Sequence, residues 1–117
     1  MTESDSQPPF DELSRLDGVE RLVHEPARMA ILTILSACLE ADFTFLQRAT
    51  GLTQGNLSLH LSKLADAALI TIQKDFVGKR PRTRATITTH GRDAIEGHWE
   101  RLSRIRQAAR DWRPEEA

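Results

Sequence analysis

The stretch Ala49-Thr50-Gly51-Leu52-Thr53 constrains this chain more than any other, because short helical patterns run into it from both sides. Gly51 is free to close one helix in the left-handed region, and the Thr53 hydroxyl can cap the next. A short Gly-containing turn between two helices is what a helix-turn-helix requires. Ahead of it, Thr44 and Gln47 stand at N-cap and N3 spacing, which predicts a capping box opening a helix over 44–50. After it, over 53–68, Leu57, Leu61, Leu64 and Ala68 recur at helical spacing and share an inward face. The outward face carries Gly55, Ser58, Leu59, Ser62, Lys63 and Asp66, small or polar apart from Leu59 and with one acid.

Whether such a face meets a polyanion depends on where the charges lie. The net charge of -1 conceals a strong segregation. Residues 1–42 hold nine acidic and three basic groups, residues 43–92 eight basic and two acidic, and residues 93–117 six acidic and five basic. Local field rather than total charge governs encounter with a polyanion, and residues 43–92 are its footprint.

The 117 residues fit one globular domain over 10–117. Residues 1–9 lack apolar content and contain Pro8-Pro9, so disorder is expected there. They show no secretory pattern, no apolar run is long enough for a membrane span, and the single cysteine, Cys38, excludes an intramolecular disulfide. A reducing, cytoplasmic setting follows. Cys38 reads as a small buried hydrophobe.

Phe10, Leu13, Leu16, Val19, Leu22 and Val23 predict a helix over 10–23, weakened at Gly18. Pro26 suits the first position of a helix over 26–39, where Met29, Ile31, Leu32, Ile34, Leu35, Cys38 and Leu39 cover most of the circumference and predict a central helix. Asp42-Phe43 can form a short strand. Beyond Leu69 the period drops to two: Ile70, Ile72 and Phe76 share one face, with Lys74 out of place on it. Thr83, Ala85 and Ile87 face inward on a second strand, which makes 70–88 a hairpin turning through Gly78-Lys79-Arg80-Pro81. Thr88 can cap a helix over 89–112, striped by Ile95, Trp99, Leu102, Ile105, Ala109 and Trp112. Such a stripe is too long for a small domain to cover, and it predicts dimerisation through this helix and Phe10, Leu13 and Leu16.

The fold class is therefore mainly α with a small β-hairpin wing. In that order, HEPARMAIL, DFTFLQRATGLTQGNLSLHLSKLADAALI, FVGKRPRT and ITTHGR resemble the small regulators of the ArsR/MarR-like winged helix-turn-helix superfamily over about residues 16–95. The resemblance implies a homodimeric DNA-binding transcriptional regulator, usually a repressor. Metal-sensing members carry a Cys-x-Cys pair on the helix before the recognition helix, and 44–50 contains no cysteine, so no metal and no cofactor are expected.

A helix entering the major groove of double-stranded DNA reads bases with its N-terminal half. Thr53 and the first-turn amides, including that of Gly55, would meet a phosphate. Gln54, Asn56 and Ser58 would face base edges and Leu59 a thymine methyl, while Ser62 and Lys63 would reach the backbone; Asn56 also reads as a local cap. Arg80 would enter a minor groove, with Lys79, Arg82 and Arg84 on phosphates. The alternative for the wing is that Arg82 pairs with an acid to brace it. Two-fold symmetry predicts a palindromic operator, and a small-molecule effector is unassigned.

An enzyme is not expected, because His24, His60, His90 and His98 are scattered without metal-binding or catalytic spacing. His60 reads as a packed or hydrogen-bonded side chain. The alternative function is a winged helix used as a protein-interaction module for an acidic partner.

Overall fold

Capping side chains at the helix starts divide the chain into its elements. The computed structural model describes residues 17–114. Helix α1 is Gly18–Val23, α2 Pro26–Cys38, α3 Phe43–Thr50, α4 Gln54–Asp66 and α5 Thr89–Asp111; the strands are β1 Glu40–Asp42, β2 Ile70–Val77 and β3 Arg80–Ile87. Residues 1–16, which carry the expected disordered start and the first half of the expected N-terminal helix with Phe10, Leu13 and Leu16, lie outside the described residues.

Asp17 caps α1: its carboxylate accepts from the Glu20 amide at 2.9 Å, so Gly18 opens the helix instead of weakening its middle. Glu25 accepts from the Ala27 and Arg28 amides, and Pro26 takes the first helical position as expected. The cap of α3 is Asp42, not Thr44, because the helix starts one residue earlier, at Phe43. The Asp42 carboxylate accepts from the Phe45 amide at 2.8 Å, and its charge suits the positive end of the helix.

The strands form an antiparallel sheet in the order β1-β3-β2, so the hairpin gains a third strand from Glu40–Asp42. The turn is tighter than the sequence pattern suggests. Gly78 takes φ 64° and only Gly78 and Lys79 lie between the strands, placing Arg80 and Pro81 in β3, opposite Val77 and Phe76. Pro81 has no amide to donate, and β1 reaches only as far as Arg84, so no partner strand needs one there.

Ile31, Leu32 and Leu35 of α2, Leu46 of α3, Leu57, Leu61 and Leu64 of α4, Ile70, Ala85 and Ile87 of the sheet and Ile95 of α5 form the core. Helix α2 is less enclosed than expected. Its last turn runs past the packed elements, and Cys38 and Leu39 are exposed, which corrects the reading of Cys38 as buried. Ala68 is also turned out, since α4 stops at Asp66 and Ala68 adopts φ 61° to aim Leu69 into the core.

The joint between α4 and α5 is built on the Leu69 carbonyl. It accepts from the Thr88 amide at 3.1 Å, while the Thr88 hydroxyl caps α5 by accepting from the Gly91 amide at 2.9 Å. Gly91 packs directly on that carbonyl and has no room for a Cβ.

On α5 the buried side runs through Gly91, Ile95 and His98. Ile95 is wholly enclosed by its own chain, so it is withdrawn from the surface expected to meet a second copy. Trp99 lies against α2, its indole N–H donating to the Thr33 hydroxyl at 3.3 Å, yet it stays partly exposed. Leu102 and Ile105 are half-buried, while Ala109 and Trp112 are exposed. Among the described residues no helix is long and apolar enough to cross a membrane.

His98 is 2% exposed, neither ring nitrogen has a hydrogen-bond partner, and the His24 ring lies 5.2 Å away. Burial, reinforced by His24 and Arg101, lowers its pKa from the ordinary 6.5. As pH falls below about 6.5 the unfolded imidazole takes up a proton before the folded one does. Stability is therefore full above that pH and declines as pH falls toward the depressed folded value. Urea titrations between pH 7.5 and 5 should show this decline in the native chain and a flatter profile in His98→Leu.

Candidate nucleic-acid interface

The turn predicted at Gly51 is present, with φ 73° and ψ 10°, and its amide bonds the Gln47 carbonyl. Thr53 caps α4 by accepting from the Asn56 amide at 3.2 Å. The amides of Gln54 and Gly55 precede the first possible intrahelical partner and point out of the helix start, whose first turn carries no acid.

Leu57, Leu61 and Leu64 anchor α4 in the core and thereby turn Gln54, Gly55, Asn56, Ser58, Leu59, Ser62 and Lys63 to the exterior. Leu59 is 52% exposed, the one large apolar side chain on this face. From the other side His60 fixes the helix: its Nδ1 lies 3.2 Å from the Arg28 guanidinium and 3.6 Å from Glu25 at the head of α2. This matches the expectation of a hydrogen-bonded histidine and ties the orientation of α4 to the central helix.

The hairpin frames a trough with α4. One recess of about 310 Å³ is lined by Gln54 and Ser58 of α4, Asp42, Phe43 and Thr44 beside it, and Pro81, Arg82 and Thr83 of β3. A second, of about 160 Å³, joins Ser58 and Ser62 to Lys74 and Thr83. Lys74, which breaks the apolar alternation of β2, thus stands beside the serines of α4. In the sequence the lysine reads as a misfit of strand patterning, and a cation on the hairpin face toward α4 is the signal it offers.

The four cations of residues 79–84 divide into two pairs. Arg82 grips Asp75 with both ends of its guanidinium, Nε to Oδ1 at 3.0 Å and a terminal nitrogen to Oδ2 at 2.8 Å. Arg84 bonds the same Asp75 carboxylate at 3.1 Å and Glu40 at 3.3 Å. The hydrogen bond from Arg82 lowers the Asp75 pKa, opposed by burial and aided by the charges of both arginines. The guanidinium groups expected on phosphates are held by acids, and the bracing alternative describes Arg82. Lys79 and Arg80 at the tip have exposed side chains with no ion pair or side-chain hydrogen bond among the described residues.

The arrangement thus presents a capped helix start and a polar helix face beside a hairpin with three cations, Lys74, Lys79 and Arg80, that have no ion pair among the described residues, a shape and charge suited to a groove and its flanking phosphates. A family model described as a winged helix DNA-binding domain matches residues 27–106. The chain belongs to that family. An uncharacterised protein of Methanocaldococcus jannaschii is 30% identical to this winged helix chain over 78 residues, 67% of this chain and 85% of that protein. A transcriptional regulator homologue of Pyrococcus horikoshii shares the fold with a TM-score of 0.76 and 24% identity, over 91% of this chain and all of that one. BpsR of Bordetella bronchiseptica, whose structure concerns regulation of its DNA binding by 6-hydroxynicotinic acid, has a TM-score of 0.64 and 16% identity, over 96% and 83% of the two chains. The expected winged helix-turn-helix architecture is thereby established.

Proposed function

We propose that this winged helix protein is a sequence-specific transcriptional repressor that acts in the cytoplasm as a homodimer on a palindromic duplex operator. The observation that carries the reading is the trough itself: the exposed face of α4 lies beside Lys74 and Pro81 of a hairpin whose tip carries the unpaired Lys79 and Arg80. Gln54, Asn56, Ser58 and Leu59 address base edges, the Thr53 cap and the first amides meet a phosphate, and Ser62, Lys63, Lys74 and Lys79 follow the backbone. Arg80 enters the adjacent minor groove. Arg82 and Arg84 hold the hairpin in shape.

The second copy is supported by an apolar groove of about 390 Å³ lined by Pro26, Met29, Ala30, Thr33, Ile34 and Trp99. Leu102, Ile105, Ala109 and Trp112 continue an apolar path from it along α5, and Phe10, Leu13 and Leu16 remain part of the proposed interface. Regulation of BpsR by a small aromatic acid supports adding a small-molecule effector to the proposal.

Selection from a random duplex pool, followed by footprinting, tests the reading. The expected result is one palindromic sequence with half-site centres roughly 34 Å apart. Three or four phosphate contacts per chain give a log-log salt slope of about -6 for the dimer. Retention of no duplex, or a slope near zero, would sink the proposal.

A further inference from the structure

Phe76 is 70% exposed, more than any other large apolar side chain in the described residues. It lies on the face of β2 that carries Ile70 and Ile72 into the core and Lys74 into the trough beside Ser58 and Ser62. Followed to the end of the hairpin, that face runs out past α4. There Phe76 is paired across the strands with Pro81, also exposed, and Pro81 shares a recess with Gln54 and Ser58. The tip of the wing therefore carries an aromatic ring and a pyrrolidine side by side, just beyond the trough.

We propose that Phe76, backed by Pro81, is an apolar wedge that enters the minor groove alongside Arg80, opens a base step and bends the duplex. The proposal rests on the DNA-binding reading above. Charge selects the occupant. Lys74 shares the face of the ring and Lys79 and Arg80 stand at the adjoining turn, none of them with an ion pair among the described residues, while the one acid of the hairpin strands, Asp75, is held by two guanidiniums. An apolar ring set among uncompensated cations matches a polyanion whose stacked bases supply an apolar surface. A neutral protein face would leave these cations unpaired on burial.

The hairpin is built to hold such a wedge. Its two-residue turn at Gly78 and the Asp75 clamp fix the strands, so little freedom is lost on insertion. Minor-groove proteins use phenylalanine in this way between partly unstacked steps. Pyrimidine–purine steps unstack most easily, so a preference for TA or CA at the wing position follows, at base pairs that α4 does not touch.

The test uses end-labelled duplexes of about 30 bp carrying the sequence selected by the native chain, with bending read by energy transfer. The native protein is expected to bend the duplex, and to bind about tenfold more tightly when the wing step is TA than when it lies in an A-tract. Phe76→Ala should lose most of the bend and that preference and bind roughly tenfold more weakly, while Phe76→Leu retains the bend. Because the ring is exposed, both variants should melt with the native chain, which confirms that the fold is intact. Phe76→Ala binding and bending like the native chain would overturn the wedge and leave the DNA reading standing. A native chain that retains no duplex would overturn both.

Discussion

Replacing Lys79 and Arg80 together by glutamate should lower affinity for the selected duplex by roughly two to three decades at physiological salt and reduce the salt slope by several units. The size follows from the charge distribution on the wing. Arg82 and Arg84 are bonded to Asp75 and Glu40, so the tip pair carries most of the hairpin's uncompensated charge. Reversal also places acids where the minor-groove potential is most negative. Filter retention or fluorescence anisotropy across a salt series measures both quantities. Unchanged retention in the double variant would move the reading to a protein-interaction module. Both side chains are solvent-exposed, so the melting temperature should stay near native.

The second large effect falls on stability. A methyl group at Gly91 would collide with the Leu69 carbonyl and lie 2.8 Å from its carbon. The obstacle is backbone in the Thr88 joint and cannot rotate aside. Gly91→Ala is therefore expected to cost about 3 kcal/mol or more, the upper end of the range for overpacking. That is a large share of the roughly 5–15 kcal/mol that holds a small domain folded. Gly97, two turns along the same helix, has nothing within 4 Å of a built Cβ, and Gly97→Ala should stabilise by about 0.5–1 kcal/mol. Urea unfolding of the two variants should shift the midpoint in opposite directions. A Gly91→Ala chain as stable as the native one would mean that the joint yields.

Much of the fold was legible because its signals are local. Gly51 and Thr53 are adjacent in sequence and act within one turn, so the helix-turn-helix followed from residue type alone. Thr88 did the same for α5. The Thr44 cap failed because Asp42 lies just upstream and takes the role when β1 ends there, a strand whose partner is 44 residues away. Cys38 was misplaced because helical periodicity marks which residues are apolar and not where the neighbouring elements stop.

The same distinction governs the interface. The outward set on α4 could be read by subtracting the leucine stripe, and the structure leaves those side chains exposed. The wing could not be read so directly, because one turn assignment sets every cross-strand pair. A four-residue turn hides the opposition of Asp75 to Arg82; a two-residue turn at Gly78-Lys79 reveals it. His98 carries no sequence signal at all, since its ring is removed from water by tertiary packing, with His24 at the end of α1 against it.

The shared grip of Asp75 on Arg82 and Arg84 has a consequence for how tightly one chain can hold a duplex. In the proposed reading, a wing that fixes its shape with two of its five basic side chains would leave a single chain a weak ligand for DNA. In the proposed dimer, the first wing and helix to land raise the effective concentration of the second at its half-site, so two modest contacts multiply into one strong one. Occupancy then depends on how firmly the long helices hold two chains together, as well as on what each reads.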